Sequence, residues 1–401
     1  MSSSQPPSPS PSRSQPPSPS PSPLRGWLAV GSVTAGLFAI VTVEILPIGL
    51  LPSIGRSFDV TDGTAGLTMT MPGFLAALSA PLVTTATGRV DRRIMLCAFM
   101  ALLAVANVLA ATAPAYWLVL VSRVLVGVTI GGFWSIGAGL AVRLVPPDSA
   151  ARATAVIFSA VPLGSVLGVP AGTFLGEAAG WRTAFAAMGV LSLCVWGAML
   201  AVVPPLPPEQ ALRAAVLRQA LRGPGIRGAL GMTFLVVCAH FGAYTYVTPF
   251  LEQVTEVGPN LVTVFLLAYG TAGIAGNFVG GAAVARRPRA AFATAAGLIA
   301  CATLLLPVLG DRPGGAVVLL MVWGIAYGAV PVCSQAWFAA AVPRVPEAAS
   351  VLFTASFQAT FALGALAGGA VLDRTTASTV MVLGGLTAAL AAVVGARRGP
   401  G

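Results

Sequence analysis

The sequence predicts an all-α integral membrane protein whose twelve transmembrane helices form two pseudo-symmetric six-helix bundles. Three observations carry this expectation. Hydrophobic residues make up 56% of the 401-residue chain and charged residues only 8%, against about a quarter charged in soluble domains. Uncharged, largely apolar stretches of roughly 20 residues, long enough to cross hydrocarbon as helices that satisfy their own backbone, recur along the chain. One longer polar segment, opening PPLPPEQ, divides them six and six.

In order, the spans fall at about 27–51, 64–87, 94–113, 115–140, 152–175 and 183–203, then at about 228–251, 260–284, 290–309, 315–340, 348–371 and 377–396. The expected organisation is a Pro/Ser-rich cytoplasmic tail at 1–26, an N-terminal bundle at 27–203, and a cytoplasmic linker at 204–227 that carries Arg213, Arg218, Arg222 and Arg227. A C-terminal bundle at 228–396 and a short cytoplasmic tail at 397–401 follow. In the first tail SQPPSPSPS stands at 4–12 and again at 14–22, a composition that builds no core and favours an extended, solvated, disordered chain. The first apolar run is too long for a signal peptide, holds a glutamate and lacks a small-residue cleavage site, so it is expected to stay in the mature protein.

All 22 basic residues are arginine. With the N-terminus inside, Arg56, Arg182, Arg312 and Arg374 fall in outer loops, Arg123 falls within a span, and the remaining arginines lie on the cytoplasmic side. That asymmetry is the positive-inside pattern and places both termini in the cytoplasm. The net charge of +10 follows from this topology. It requires no nucleic acid and is compatible with anionic lipid headgroups of the bilayer. Cys97, Cys194, Cys238, Cys301 and Cys333 fall singly in five spans with no CxxC pair, so neither a disulfide nor a metal site is expected.

The halves repeat weakly. RLVPPDSAARATAVIFSA aligns with AAVPRVPEAASVLFTASF, so that Val145 and Pro146 meet Val342 and Pro343, and Gly172 meets Gly369. Two six-helix halves related in parallel are the plan of a transporter that rocks about a midplane site.

With these features the chain resembles the major facilitator superfamily, and within it the twelve-helix drug:proton antiporter group, across about residues 27–396. The resemblance rests on EILPIGLLPSI in the first span, TGRVDRR after the second, SRVLVGVTIGGFW in the fourth, RLVPP after it, and LGSVLGVPAGTFLGEAAGWRTAF across the fifth and sixth. GGFWSIGAGLAVRLVPP and TFLGEAAGWRTAF are most similar to bacterial purine ribonucleoside and sugar efflux proteins. The resemblance implies a multi-pass protein of the bacterial inner membrane, working as a monomer, with a small-molecule substrate and protons as partners. It implies no cofactor, the proton gradient being the driving force. The family's loop pattern carries over to Asp91 and Arg92, with Arg93 following, although Gly88 stands three residues before the aspartate where the family has four. In the fifth span the antiporter motif carries over as Gly164, Gly168, Pro170 and Gly172, with Val169 inserted before the proline.

The residues themselves suggest a mechanism. Glu44 is the only acidic residue before Asp59, and an ionised carboxylate in hydrocarbon costs several kcal/mol, so it faces a wet cavity or holds a proton. Either suits proton coupling, with a kink at Pro47; the competing reading is a hydrated carboxylate near the outer interface. Arg123 must find a carboxylate, carbonyls or water inside the bundle. The resemblance associates it, with Gly127, with proton coupling, while the bland reading is a structural arginine bonded to carbonyls near the cytoplasmic end. The resemblance makes Asp91, Arg92 and Arg93 a gating loop in which Asp91 locks one state; setting topology is the simpler role. Gly164, Gly168 and Gly172 share one helix face and admit a neighbouring backbone, whether that contact slides or is fixed.

Candidate substrate contacts are Trp134, His240, Tyr244, Asn277, Gln335 and Gln358, aromatic rings and amides suited to a flat heterocycle. In CAHFGAYTYVTPF, His240, Tyr244 and Thr248 share a face at fourfold spacing, and the sole histidine is either a second proton site or a packing contact. The expected function is proton-coupled export of a small organic solute, drug or nucleoside. A facilitator or importer of sugars or nucleosides, or a sensor on the same fold, are the alternatives. With no GxxxxGK[ST], GxSG or HExxH pattern, neither an ATP site nor an intramembrane enzyme is expected.

Overall fold

The computed structural model describes residues 23–86, 90–137, 140–207, 214–343 and 346–398. The tail repeat, Gly88 and the middle of the linker lie outside the described residues. Among the described residues, twelve helices are long and apolar enough to cross a membrane: α1 Leu24–Ile45, α2 Asp62–Val83, α3 Arg92–Ala111, α4 Tyr116–Trp134, α5 Pro147–Ala179, α6 Trp181–Val202, α7 Gly225–Gln253, α8 Pro259–Val284, α9 Pro288–Leu309, α10 Pro313–Ala341, α11 Ala348–Leu372 and α12 Ala377–Arg397. Among the described residues there are no strands. Large apolar side chains such as Phe278, Val308 and Phe174 stand more than half exposed. Exposed apolar surface on this scale is the solvent face of a protein whose solvent is hydrocarbon.

Local chemistry sets the ends of the helices. Proline opens α8, α9 and α10 at Pro259, Pro288 and Pro313, where its missing N–H costs nothing. Asp91 caps α3 by accepting from the Arg93 N–H at 2.8 Å. α5 and α6 meet at Gly180, whose φ of 85° is left-handed backbone that glycine adopts without strain.

Buried side chains gather in two clusters. One is built mostly from residues of α1 to α6, from Ala29 to Leu206. The other is built mostly from residues after Leu217 and also takes in Ile48, Leu51, Ala65, Met69 and Val169. The halves approach closely at glycines: a Cβ on Gly270 of α8 would lie 2.9 Å from the Val166 Cα of α5, and one on Gly73 of α2 would lie 2.9 Å from the Gln358 carbonyl oxygen of α11.

Two helices break near the end of the bundle away from the termini. α1 gives way to a turn at Leu46 and resumes as Pro47–Phe58, and α7 turns at Thr245 and Tyr246 before Pro249. Each proline lacks the N–H that would bond the carbonyl four residues earlier, so Pro47 releases the Val43 oxygen and Pro52 that of Ile48. Both are answered by side chains. Arg123 Nη1 donates to the Val43 oxygen at 3.1 Å, and Thr248 Oγ1 donates to the Ile48 oxygen at 2.9 Å. Replacing Pro47 by alanine supplies the missing N–H. The destabilisation caused by Arg123→Met, measured by unfolding in detergent, is therefore expected to be smaller by about 1–3 kcal/mol in a Pro47→Ala background than in the wild-type chain. Equal costs in the two backgrounds would show that the guanidinium does not serve the Val43 carbonyl.

Candidate functional site

A cavity of about 670 Å³ lies between the halves. Its wall draws Val41, Glu44 and Ile45 from α1, Trp134 from α4, and Phe158 to Val166 from α5. The other half gives His240, Phe241 and Tyr244 of α7, Tyr269 to Asn277 of α8, and residues of α10 and α11. The lining continues to Val342, Pro343, Ala349 and Ser350 at the end where the termini lie, and Pro343 and Ser350 are exposed there. Glu44 is the one carboxylate among the described lining residues, and none of them is arginine.

The cavity is closed at the opposite end by bonds between the halves. Besides Thr248 to Ile48, the Gly63 N–H donates to Asp373 Oδ1 at 2.9 Å, and Gln253 Nε2 donates to Asp62 Oδ2 at 3.2 Å. Arg56, which is exposed, and half-buried Glu252 stand 3.9 Å apart, a pair too open and too long to contribute much by itself. Tyr246 donates to the Ala365 oxygen at 2.7 Å, with its hydroxyl in the space that Gly66 and Gly369 leave by having no side chain.

All six residues expected to touch substrate line this cavity, together with Glu44. Glu44 Oε1 accepts from Gln358 Nε2 at 2.7 Å, which ties α1 to α11 across the halves. Gln358 is buried and its Oε1 has no partner among the described residues. Gln335 is exposed to the cavity mouth, while Trp134 and Asn277 are half-buried. Thr248 leaves the face it was expected to share with His240 and Tyr244, because the break at Thr245 turns the last part of α7 toward Ile48.

Arg123 is not on the wall. It is fully buried, with its guanidinium carbon 4.8 Å from the centre of the Phe185 ring. It sits seven residues into a helix that starts at the end away from the termini, so its carbonyl partner lies in that half of the bundle and not near the end expected to be cytoplasmic. Arg123 and Glu44 reach the same stretch of α1, one bonded to the Val43 backbone and the other facing the cavity. The Asp91, Arg92 and Arg93 cluster grips the end of α6 and the start of the linker: both Asp91 oxygens accept from the Leu206 N–H at 3.1 Å, the Arg92 N–H donates to the Leu206 oxygen at 3.0 Å, and Arg93 Nη2 donates to the Leu200 oxygen at 2.6 Å. Gly164, Gly168 and Gly172 face α1 and its extension in the same half, against Val41, Thr42 and Leu46, with Pro170 in the same helix.

Sequence reasoning missed Tyr269 and Tyr327, both on the wall. Tyr327 stacks on His240 with ring centres 3.3 Å apart, and Tyr269 stacks on Tyr244 at 4.4 Å. The signal was the triplet Ala-Tyr-Gly, present at 268–270 and again at 326–328, which sets tyrosine in mid-span where an interfacial anchor has no use. Pro162 and Pro331 are also on the wall and leave the carbonyls of Phe158 and Tyr327 without their usual donors.

A twelve-span helical bundle whose central cavity reaches one end and is sealed at the other has the construction of a membrane transporter. The profile of the Major Facilitator Superfamily matches residues 33–357, and the chain belongs to that superfamily. It is 31% identical over 371 residues to the purine ribonucleoside efflux pump NepI of Escherichia coli O6:K15:H31, covering 92% of this chain and 93% of that protein. It is 33% identical over 355 residues to the transcription regulatory protein OpdE of Pseudomonas aeruginosa, covering 87% and 88%. Its fold is similar to the crystal structure of a bacterial homolog of the human lysosomal transporter Spinster in an inward-facing and occupied conformation, with a TM-score of 0.75 at 17% identity over 94% of this chain and 97% of that one.

Replacing Thr248 by the isosteric valine removes one bond of the closed end. In a cysteine-free background carrying Ile45→Cys on the cavity wall, labelling from the closed end by an impermeant maleimide is expected to rise about 2- to 10-fold, the worth of one neutral hydrogen bond. An unchanged rate would mean that Thr248 does not hold that end shut.

Proposed function

We propose that this transporter is a proton-coupled antiporter that exports a small organic solute, with purine ribonucleosides as the leading class. The observation that carries the reading is the one carboxylate among the described lining residues, Glu44, on the wall of a solute-sized cavity and hydrogen-bonded across the halves to Gln358. Protonation of that carboxylate changes the charge at the seam where the halves meet, so proton and solute occupancy bias the same rocking motion. The arginine asymmetry of the loops supports a cytoplasmic location for both termini and for the open end of the cavity, in the inner membrane of a bacterium. In this reading residues 27–203 and 228–396 are the moving halves and 204–227 the cytoplasmic linker. Arg123 holds the broken α1 in place beside Glu44, and Asp91 with its arginines anchors the linker. The protein works as a monomer without a cofactor, and it is not an enzyme.

The efflux pump relative at 31% identity supports both export and the nucleoside class. The stacked rings of the wall and its amides Asn277, Gln335 and Gln358 suit a flat heterocycle with polar edges. A second reading, a sensor that binds solute without moving it, is favoured by the relative named as a regulatory protein.

In liposomes with an internal pH dye and an imposed proton gradient, inosine or guanosine is expected to drive proton movement that Glu44→Gln abolishes while solute binding persists. Equal proton movement in both proteins would remove Glu44 from coupling. Binding without flux in the wild-type protein would favour the sensor, and downhill solute flux indifferent to pH a facilitator.

A further inference from the structure

His240 is the only histidine of the chain, and its surroundings decide what it can do. Aromatic rings pack around it: Tyr327 stacks on it with centres 3.3 Å apart and planes 6° from parallel, Tyr244 stacks at 5.1 Å, and Phe241 meets it edge-on at 4.7 Å. Trp323 Nε1 donates to His240 Nδ1 at 3.1 Å. An indole N–H is a donor and never an acceptor, so Nδ1 must carry a lone pair and the ring proton must be on Nε2. A second proton on the imidazole would set two N–H groups against each other. Trp323 is fully buried and absent from the cavity lining, so it approaches His240 from behind the wall.

We propose that Trp323 is a positioning residue that fixes His240 as a neutral Nε2–H donor on the cavity wall, where it selects cargo carrying a hydrogen-bond acceptor. The proposal rests on the solute-binding reading of the cavity given above. It removes His240 as a second proton carrier and leaves that role to Glu44. It also completes a wall whose other polar groups await partners: Gln358 Oε1 and Tyr269 Oη are buried there without one among the described residues. A neutral donor, free amide edges and no arginine among the described lining residues suit an uncharged solute with ring nitrogens or carbonyls better than an organic anion.

A single histidine makes the test direct. In protein labelled with ¹⁵N-histidine and held in detergent or nanodiscs, one pair of imidazole signals is expected, with Nε2 bearing the proton and Nδ1 bare. Trp323→Phe is expected to release this preference and give mixed tautomers or the imidazolium. A proton on Nδ1 in the wild-type protein, or the same single tautomer in Trp323→Phe, would overturn the positioning role. Inosine binding by the wild-type protein, His240→Gln and His240→Phe tests the donor role; because His240→Phe also takes the acceptor from Trp323 Nε1, both variants are compared in the Trp323→Phe background as well, where that N–H is absent. The glutamine, which keeps an N–H, is expected to bind within a few-fold of wild type. The phenylalanine is expected to lose about tenfold, the upper worth of one neutral hydrogen bond; wild-type affinity in His240→Phe would overturn the donor role. Failure of the wild-type protein to bind inosine would count against the nucleoside reading alone, since the spectrum decides the tautomer without any cargo.

Discussion

Hydrocarbon supplies no hydrogen bonds, so a carbonyl that a proline strips of its helical partner must be answered by another protein group or by the water of a cavity. That constraint organises the closed end of this bundle. Pro47 opens the extension of α1 and Pro52 lies within it, and the two carbonyls they release recruit Arg123 from α4 and Thr248 from α7. The first bond lies within one half. It gives a buried guanidinium a reason to sit in the membrane without a carboxylate beside it. The second crosses between the halves and so has to part if the cavity is ever to open on that side. A fixed bond and a breakable one thus arise from the same chemistry a turn apart.

The cavity divides its chemistry between the halves. α1 contributes the carboxylate, whereas α7, α8 and α10 contribute most of the stacked rings. The Glu44–Gln358 bond is the place where the two meet, so a change of charge on one half is felt directly by the other. Small residues set where movement is easy. The glycine row of α5 packs against α1 inside its own half, whereas Gly73 and Gly270 bring helices of opposite halves close enough for backbone contact. Interfaces without interlocking side chains can separate and reform at little cost.

Much of this was written in one dimension. A run of twenty uncharged residues can only be a span, and a charge inside such a run is conspicuous because its burial is expensive, so Glu44 and Arg123 were visible before any fold was known. The amides and aromatics in mid-span were visible for the same reason. All six of those chosen as contacts border the cavity, although their positions say nothing of what they bind.

Partnership was not written there. Arg123 needed an acceptor, but only the packing of α4 on α1 selected the Val43 carbonyl. Fourfold spacing aligned Thr248 with His240, yet the turn before Pro249 sent it to Ile48. Asp91 reads as a gate in a loop pattern and in three dimensions holds Leu206 of the linker. Trp323 looked like any apolar residue of a span until it met His240 and fixed which ring nitrogen carries the proton. The sequence by itself determined the solvent, the number of spans and the costly residues, because transfer from water to hydrocarbon is a property of each residue type. Only the tertiary structure decided which groups satisfy one another, because a hydrogen bond depends on distance and direction between segments that the chain order does not bring together.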